Sequence, residues 1–142
     1  MDEEALHILL LLGFHRSNRE IGRRIKREGL MPGQPKILEY LWFHDGASQK
    51  DISRECIIDK STVTSLLKRM EKLDLIRKET RLEDQRGVAI FLTAPGWEHA
   101  KRIRQVIYGI DDEMWQGIEP EARQQFVATF HRIMENEKKW GD

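Results

Sequence analysis

The chain has 142 residues, with 24 basic and 24 acidic side chains, so its formal net charge is zero. That length suits one domain with room for an appended interaction element, and the balanced charge gives no global argument for a polyanionic partner. Apolar residues make up 39% and recur with clear periods, which excludes a disordered chain, and the single cysteine, Cys56, excludes an internal disulfide and points to a reducing compartment.

Residues 3–28 read as one helix. Its first half, LHILLLLGF from Leu6 to Phe14, is apolar nearly all round. In a water-soluble helix that pattern calls for burial on several sides, and a partner subunit supplies it more simply than the core of so short a chain. The run is too short to cross a membrane, and the preceding MDEEA is acidic where a secretory signal needs positive charge. The expected location is the cytoplasm. GLMPGQP (Gly29 to Pro35) breaks the helix, KILEYLWF is a short second helix, and HDGA ends it.

Ser48 with Asp51 three residues on is a capping-box pattern that opens a helix with Ile52 and Cys56 on its inner face. Asp59 suits the N-cap of the next. At about 100° per residue, Val63, Leu66, Leu67, Met70 and Leu73 fall on one side of that next helix. Ser61, Thr64, Ser65, Lys68 and Lys72 fall on the other. LIRKET and VAIFLT then read as two strands around the charged turn RLEDQRG. Thr93 caps a further helix in which Ala100, Ile103, Ile107, Ile110 and Met114 keep the 3-4 spacing of packed long helices. GIEP interrupts it. A last helix from Pro120 to about Lys139 is expected to bury Phe126, Val127, Phe130, Ile133 and Met134.

Charge is distributed in blocks. Seven bases and two acids lie between His15 and Lys36, seven bases and three acids between Lys60 and Arg81, and eight acids face four bases from Asp111 onward. A local basic field is compatible with nucleic acid at one face, although most charge runs are solvated helix surface. No phosphate-binding glycine loop, HExxH, CxxC or GxSxG occurs, and the five histidines lack metal-ligand spacing. The expectation is therefore no enzyme, no cofactor and no metal.

Two helices joined by a tight turn, the second exposing small hydroxyls and lysines, match a helix-turn-helix entering a DNA major groove. Hydroxyls let the backbone approach bases or phosphates, and lysines neutralise phosphates. The hairpin would be a wing, with Arg81 or Arg86 suited to a narrow minor groove. The same pattern also fits an ordinary helical pair with a solvated polar face.

DISRECIIDKSTVTSLLKRMEKLDLIRK, followed by LEDQRGVAIFLTAPG with its D-x-R wing, resembles the MarR-type winged helix-turn-helix transcriptional regulators. The resemblance covers essentially the whole chain. It implies a mainly α fold with a small β-hairpin wing, a DNA-binding lobe over 36–93 and dimerisation helices over 3–28 and 94–139. It implies DNA contacts from Ser48, Gln49, Lys60, Ser61, Thr62, Thr64, Ser65, Lys68, Arg69, Arg81 and Arg86, with Asp84 bracing the Arg86 guanidinium. The implied partners are double-stranded DNA, a second copy of the chain and a small aromatic effector, for which His15, Tyr40, Trp42 and Trp97 are candidate lining residues. The implied function is a ligand-responsive repressor on a pseudo-palindromic operator. Ile57 stands where the family often has glycine in the turn, and Cys56 where it has a buried aliphatic residue. The alternatives from other classes are a winged-helix adaptor between proteins, which would need an apolar or acidic patch on the 60–72 helix, and a ligand-binding or enzymatic helical dimer, which would need converging acids or histidines.

Overall fold

A computed structural model describes residues 2–31, 33–81 and 87–141. In chain order the elements are α1 (Leu6–Ile25), α2 (Gln34–Phe43), β1 (Ala47–Ser48), α3 (Gln49–Cys56), α4 (Lys60–Lys72), β2 (Ile76–Thr80), β3 (Val88–Leu92), α5 (Ala94–Met114) and α6 (Pro120–Glu137). The three strands form one antiparallel sheet in the order β1-β3-β2, with Ala47 opposite Ile90 and Ile76 opposite Leu92. The fold is therefore mainly helical with a small wing, as the pattern predicts. The chain divides into two compact units, Met1–Ile110 and Asp111–Asp142.

The core of the first unit is made where the apolar faces of α2, α3, α4 and α5 converge with the sheet. Ile37, Leu38, Leu41, Ile52, Val63, Leu67, Met70, Ala100 and Ile103 are completely buried there. The inner faces read from spacing in α3 and α4 are the observed ones except at Leu73, which caps α4 and is 56% exposed. Cys56 is buried in the same cluster, its Sγ 3.6 Å from the Lys36 carbonyl oxygen, and desolvation pushes its thiol up to about 11. It fills the core and has little thiolate to offer an oxidant.

Several expectations need correction. The first helix starts at Leu6 rather than residue 3, because Ala5 is extended, and it tightens into a 3-10 turn over Lys26–Glu28. β1 was not visible in the sequence, since two residues carry no period. Most of the apolar seam on α5 is used inside the chain's own fold: Ala100, Ile103 and Ile110 are buried and Ile107 packs against the core, while Met114 is exposed. The last helix buries none of its residues within the chain: Phe126 is 56% exposed and Val127 and Met134 are also exposed. Within the second unit Trp115 does pack edge-on against Phe126, which in turn meets Phe130.

The start of α5 is locked to the sheet by a close approach. The Thr93 amide donates to the Leu75 carbonyl at 3.1 Å, its hydroxyl donates to the Asp74 carbonyl at 2.5 Å, and the Gly96 amide donates back to Thr93 Oγ1 at 3.0 Å. A Cβ on Gly96 would sit 1.9 Å from the Leu75 oxygen, so only glycine fits here. Among the described residues no helix is long and apolar enough to cross a membrane, and none of the His, Cys, Asp and Glu side chains group as a metal site.

Candidate nucleic-acid interface

The interface is built on two caps and a turn. Ser48 closes the predicted capping box: its Oγ accepts from the Asp51 amide at 3.1 Å, and Asp51 Oδ2 accepts from the Ser48 amide at 3.4 Å. Both polar groups of Ser48 are thus engaged in starting α3. The turn after α3 places Ile57 in the left-handed region, φ 56° and ψ 51°, so the geometry a glycine would favour is kept by a β-branched residue. Ser53 fastens this turn, its carbonyl accepting from the Ile58 amide at 3.1 Å and its hydroxyl donating to the Ile58 carbonyl at 2.6 Å.

Asp59 then caps α4 and does more than cap it. One oxygen accepts from the Thr62 amide at 2.8 Å and the Ser61 hydroxyl at 2.7 Å, and the other from the Thr62 hydroxyl at 2.7 Å. These donors, the Ser61 hydroxyl foremost, hold its carboxyl down at about 2. The hydroxyl protons of Ser61 and Thr62 therefore point back to Asp59, and both side chains present lone pairs outward. Sequence reading found Asp59 as a cap only; its hold on two hydroxyls depends on side-chain directions that spacing does not carry.

Lys60, Ser61, Thr62, Thr64, Ser65 and Lys68 are all exposed on α4. Gln49, at the start of α3, joins them across the helix pair, its Nε2 donating to Thr64 Oγ1 at 2.5 Å, while the Thr64 hydroxyl donates to the Lys60 carbonyl at 2.9 Å. Arg69 is turned aside, its guanidinium against the Met31 sulfur. Arg81 donates to the Gly46 carbonyl and so ties the base of the wing to the segment before β1. Asp84 and Arg86 lie outside the described residues.

The four aromatic candidates for a ligand do not share one cleft. Trp42 meets Trp97 edge-on at 5.3 Å, and the Arg104 guanidinium lies over Trp42 at 4.6 Å. Tyr40 stacks on His44 at 4.5 Å and lines a different hollow, with Glu55 and Cys56. His15 is exposed on α1. A separate pocket of about 600 Å³ lies between α1 and the start of α2, walled by Asn18, Ile21, Ile25, Leu30 and Lys36 and reaching Ile58 at the turn before α4.

A helix-turn-helix whose second helix shows hydroxyls and lysines, followed by a hairpin, defines a winged helix-turn-helix protein. The family model for MarR matches residues 30–88. MgrA of Staphylococcus aureus, an HTH-type transcriptional regulator, is 34% identical over 97 residues, 65% of this chain and 66% of MgrA, so the match spans just under two thirds of that relative. A MarR-family transcriptional regulator from Silicibacter pomeroyi has the same fold with a TM-score of 0.84 at 26% identity, over 94% of this chain and 90% of that one. Residues 30–88 thus match the MarR family, and the chain shares the fold of a MarR-family regulator over nearly its whole length. The structure of S. aureus MepR in complex with DNA is alike in fold, with a TM-score of 0.82 at 20% identity over 96% of this chain and 99% of that one.

Proposed function

We propose that this chain is a homodimeric, sequence-specific DNA-binding transcriptional regulator that acts as a ligand-responsive repressor on a pseudo-palindromic operator. The observation that carries the reading is the outward face of α4, where Lys60, Ser61, Thr62, Thr64, Ser65 and Lys68 are exposed over a fully buried apolar face. Such a surface is polar and basic where an adaptor would be apolar or acidic. Each α4 of a dimer would enter a major groove, with half-sites about 10 base pairs apart. The 36–93 lobe would carry these contacts, Arg86 would reach the minor groove from the wing with Asp84 as its brace, and helices within 3–28 and 94–139 would join the two copies.

An effector shifts such a protein only if it binds one separation of the two lobes better than the other. The pocket beside α1 supports this part of the reading, because a molecule held there touches both α1 and the turn that sets α4. The test is a fluorescence-anisotropy titration against the DNA upstream of the protein's own gene and against a scrambled control, at several salt concentrations. Tight binding to the upstream DNA alone, falling steeply with salt, is expected. Absence of binding to either DNA at low salt would replace this reading with the adaptor.

A further inference from the structure

The contact between Gln49 and Thr64 fixes more than the angle of two helices. Thr64 has one hydroxyl proton, and it is donated to the Lys60 carbonyl at 2.9 Å. Its oxygen can therefore only accept from Gln49, 2.5 Å away, so the amide atom facing it must be the nitrogen. Proton count thus sets the orientation of the Gln49 carboxamide. Its second N–H and its Oε1 have no partner among the described residues, and the side chain lies along the exposed face of α4.

One donor beside one acceptor on a held amide is complementary to adenine, which offers N7 as acceptor and N6 as donor in the major groove. Guanine offers two acceptors there, which would set its O6 against Oε1, and a phosphate has no proton for Oε1 at all. The neighbouring Ser61 and Thr62 have their protons directed to Asp59, so at the start of α4 they offer DNA acceptors, whereas the Gln49 amide offers a donor and an acceptor in one plane. The lysines supply affinity without sequence information.

We infer that Gln49 reads an adenine in each half-site and that Thr64 is its positioning residue. The inference rests on the DNA-binding reading above. The experiment is selection of bound sequences from a randomised double-stranded pool by the full chain and by the variants Q49A, T64V and T64S, followed by titration of the selected site. Wild type is expected to prefer A·T at one position per half-site by about tenfold or more. Q49A should flatten that position alone and leave the salt dependence unchanged. T64V should weaken the same preference, and T64S, which restores the hydroxyl, should keep it. Replacing that adenine with 7-deazaadenine should weaken wild type but not Q49A. A uniform loss of affinity in Q49A with its sequence preferences intact would make Gln49 a phosphate contact and overturn the inference, as would an unchanged preference. If wild type binds no DNA in the pool at low salt, the DNA-binding reading has failed first, and this inference falls with it.

Discussion

Ile57 carries a cost that can be measured. A non-glycine residue in the left-handed region loses about 1–2 kcal/mol, and glycine gives part of that back as freedom of the unfolded chain. The side chain is 88% exposed, so removing it sacrifices little burial. Ile57→Gly should therefore raise stability by roughly 0.5–1 kcal/mol, seen as a higher urea midpoint at unchanged slope. Asp59 makes a pH prediction at the same scale. Its carboxyl is lowered from 3.8 to about 2 in the folded protein, so its contribution is present above 3.8 and is lost as pH falls toward 2. Asp59→Asn should remove that part of the acid dependence, so that its melting temperature falls less steeply than that of wild type between about pH 4 and about pH 2. Circular dichroism melts between pH 2 and 7 measure it.

At the scale of elements, the join between β2, β3 and α5 depends on a missing side chain. Gly96→Ala places a Cβ against the Leu75 carbonyl, which is backbone and has no rotamer to escape into. The variant should lose on the order of 3 kcal/mol, read from the same denaturation curves. In the proposed function the DNA contacts are carried by α4. Lys68→Ala should weaken binding alike for all DNA sequences and reduce the log-log salt slope by about 1, because a lysine at phosphate contributes counterion release and no base discrimination. An unchanged slope would remove Lys68 from the DNA backbone. The elements that were legible in the sequence are those with a sustained period or a fixed cap spacing: α4's two faces as far as Met70, the Ser48 box and the Asp59 cap are where spacing puts them. What spacing could not show was any link that crosses between elements. The Gln49 amide on Thr64, Arg69 turned to Met31 and Arg81 tied to Gly46 each depend on where a long side chain lands after folding. β1 escaped for the opposite reason, being two residues paired only by the partner strand.

For the whole molecule, the question is what covers the apolar surface that folding leaves outside. On α1, Leu6, Leu9, Leu10, Leu11 and Phe14 are exposed, Phe14 at 62%, and they occur within nine residues of one helix. On α6, taken by itself, Phe126, Val127 and Met134 are exposed and no residue is buried. An isolated soluble chain rarely keeps such faces, and their removal from water is worth about 25 cal/mol for each Å² buried. In the homodimer proposed above a second copy of the chain would cover both without any other partner, because a two-fold dimer presents the same two surfaces twice. The consequence is a linkage. If the dimer is the stable form, its melting temperature should rise with protein concentration, and charges placed on either face should abolish that dependence. Leu11→Glu and Phe126→Glu, made separately, are each expected to shift the protein to monomer in sedimentation velocity. Each should also lower affinity for a two-half-site DNA far more than for a single half-site, since only the paired binding loses its second anchor. Monomeric wild type at micromolar concentration, or equal losses on both DNAs, would leave those faces for another occupant.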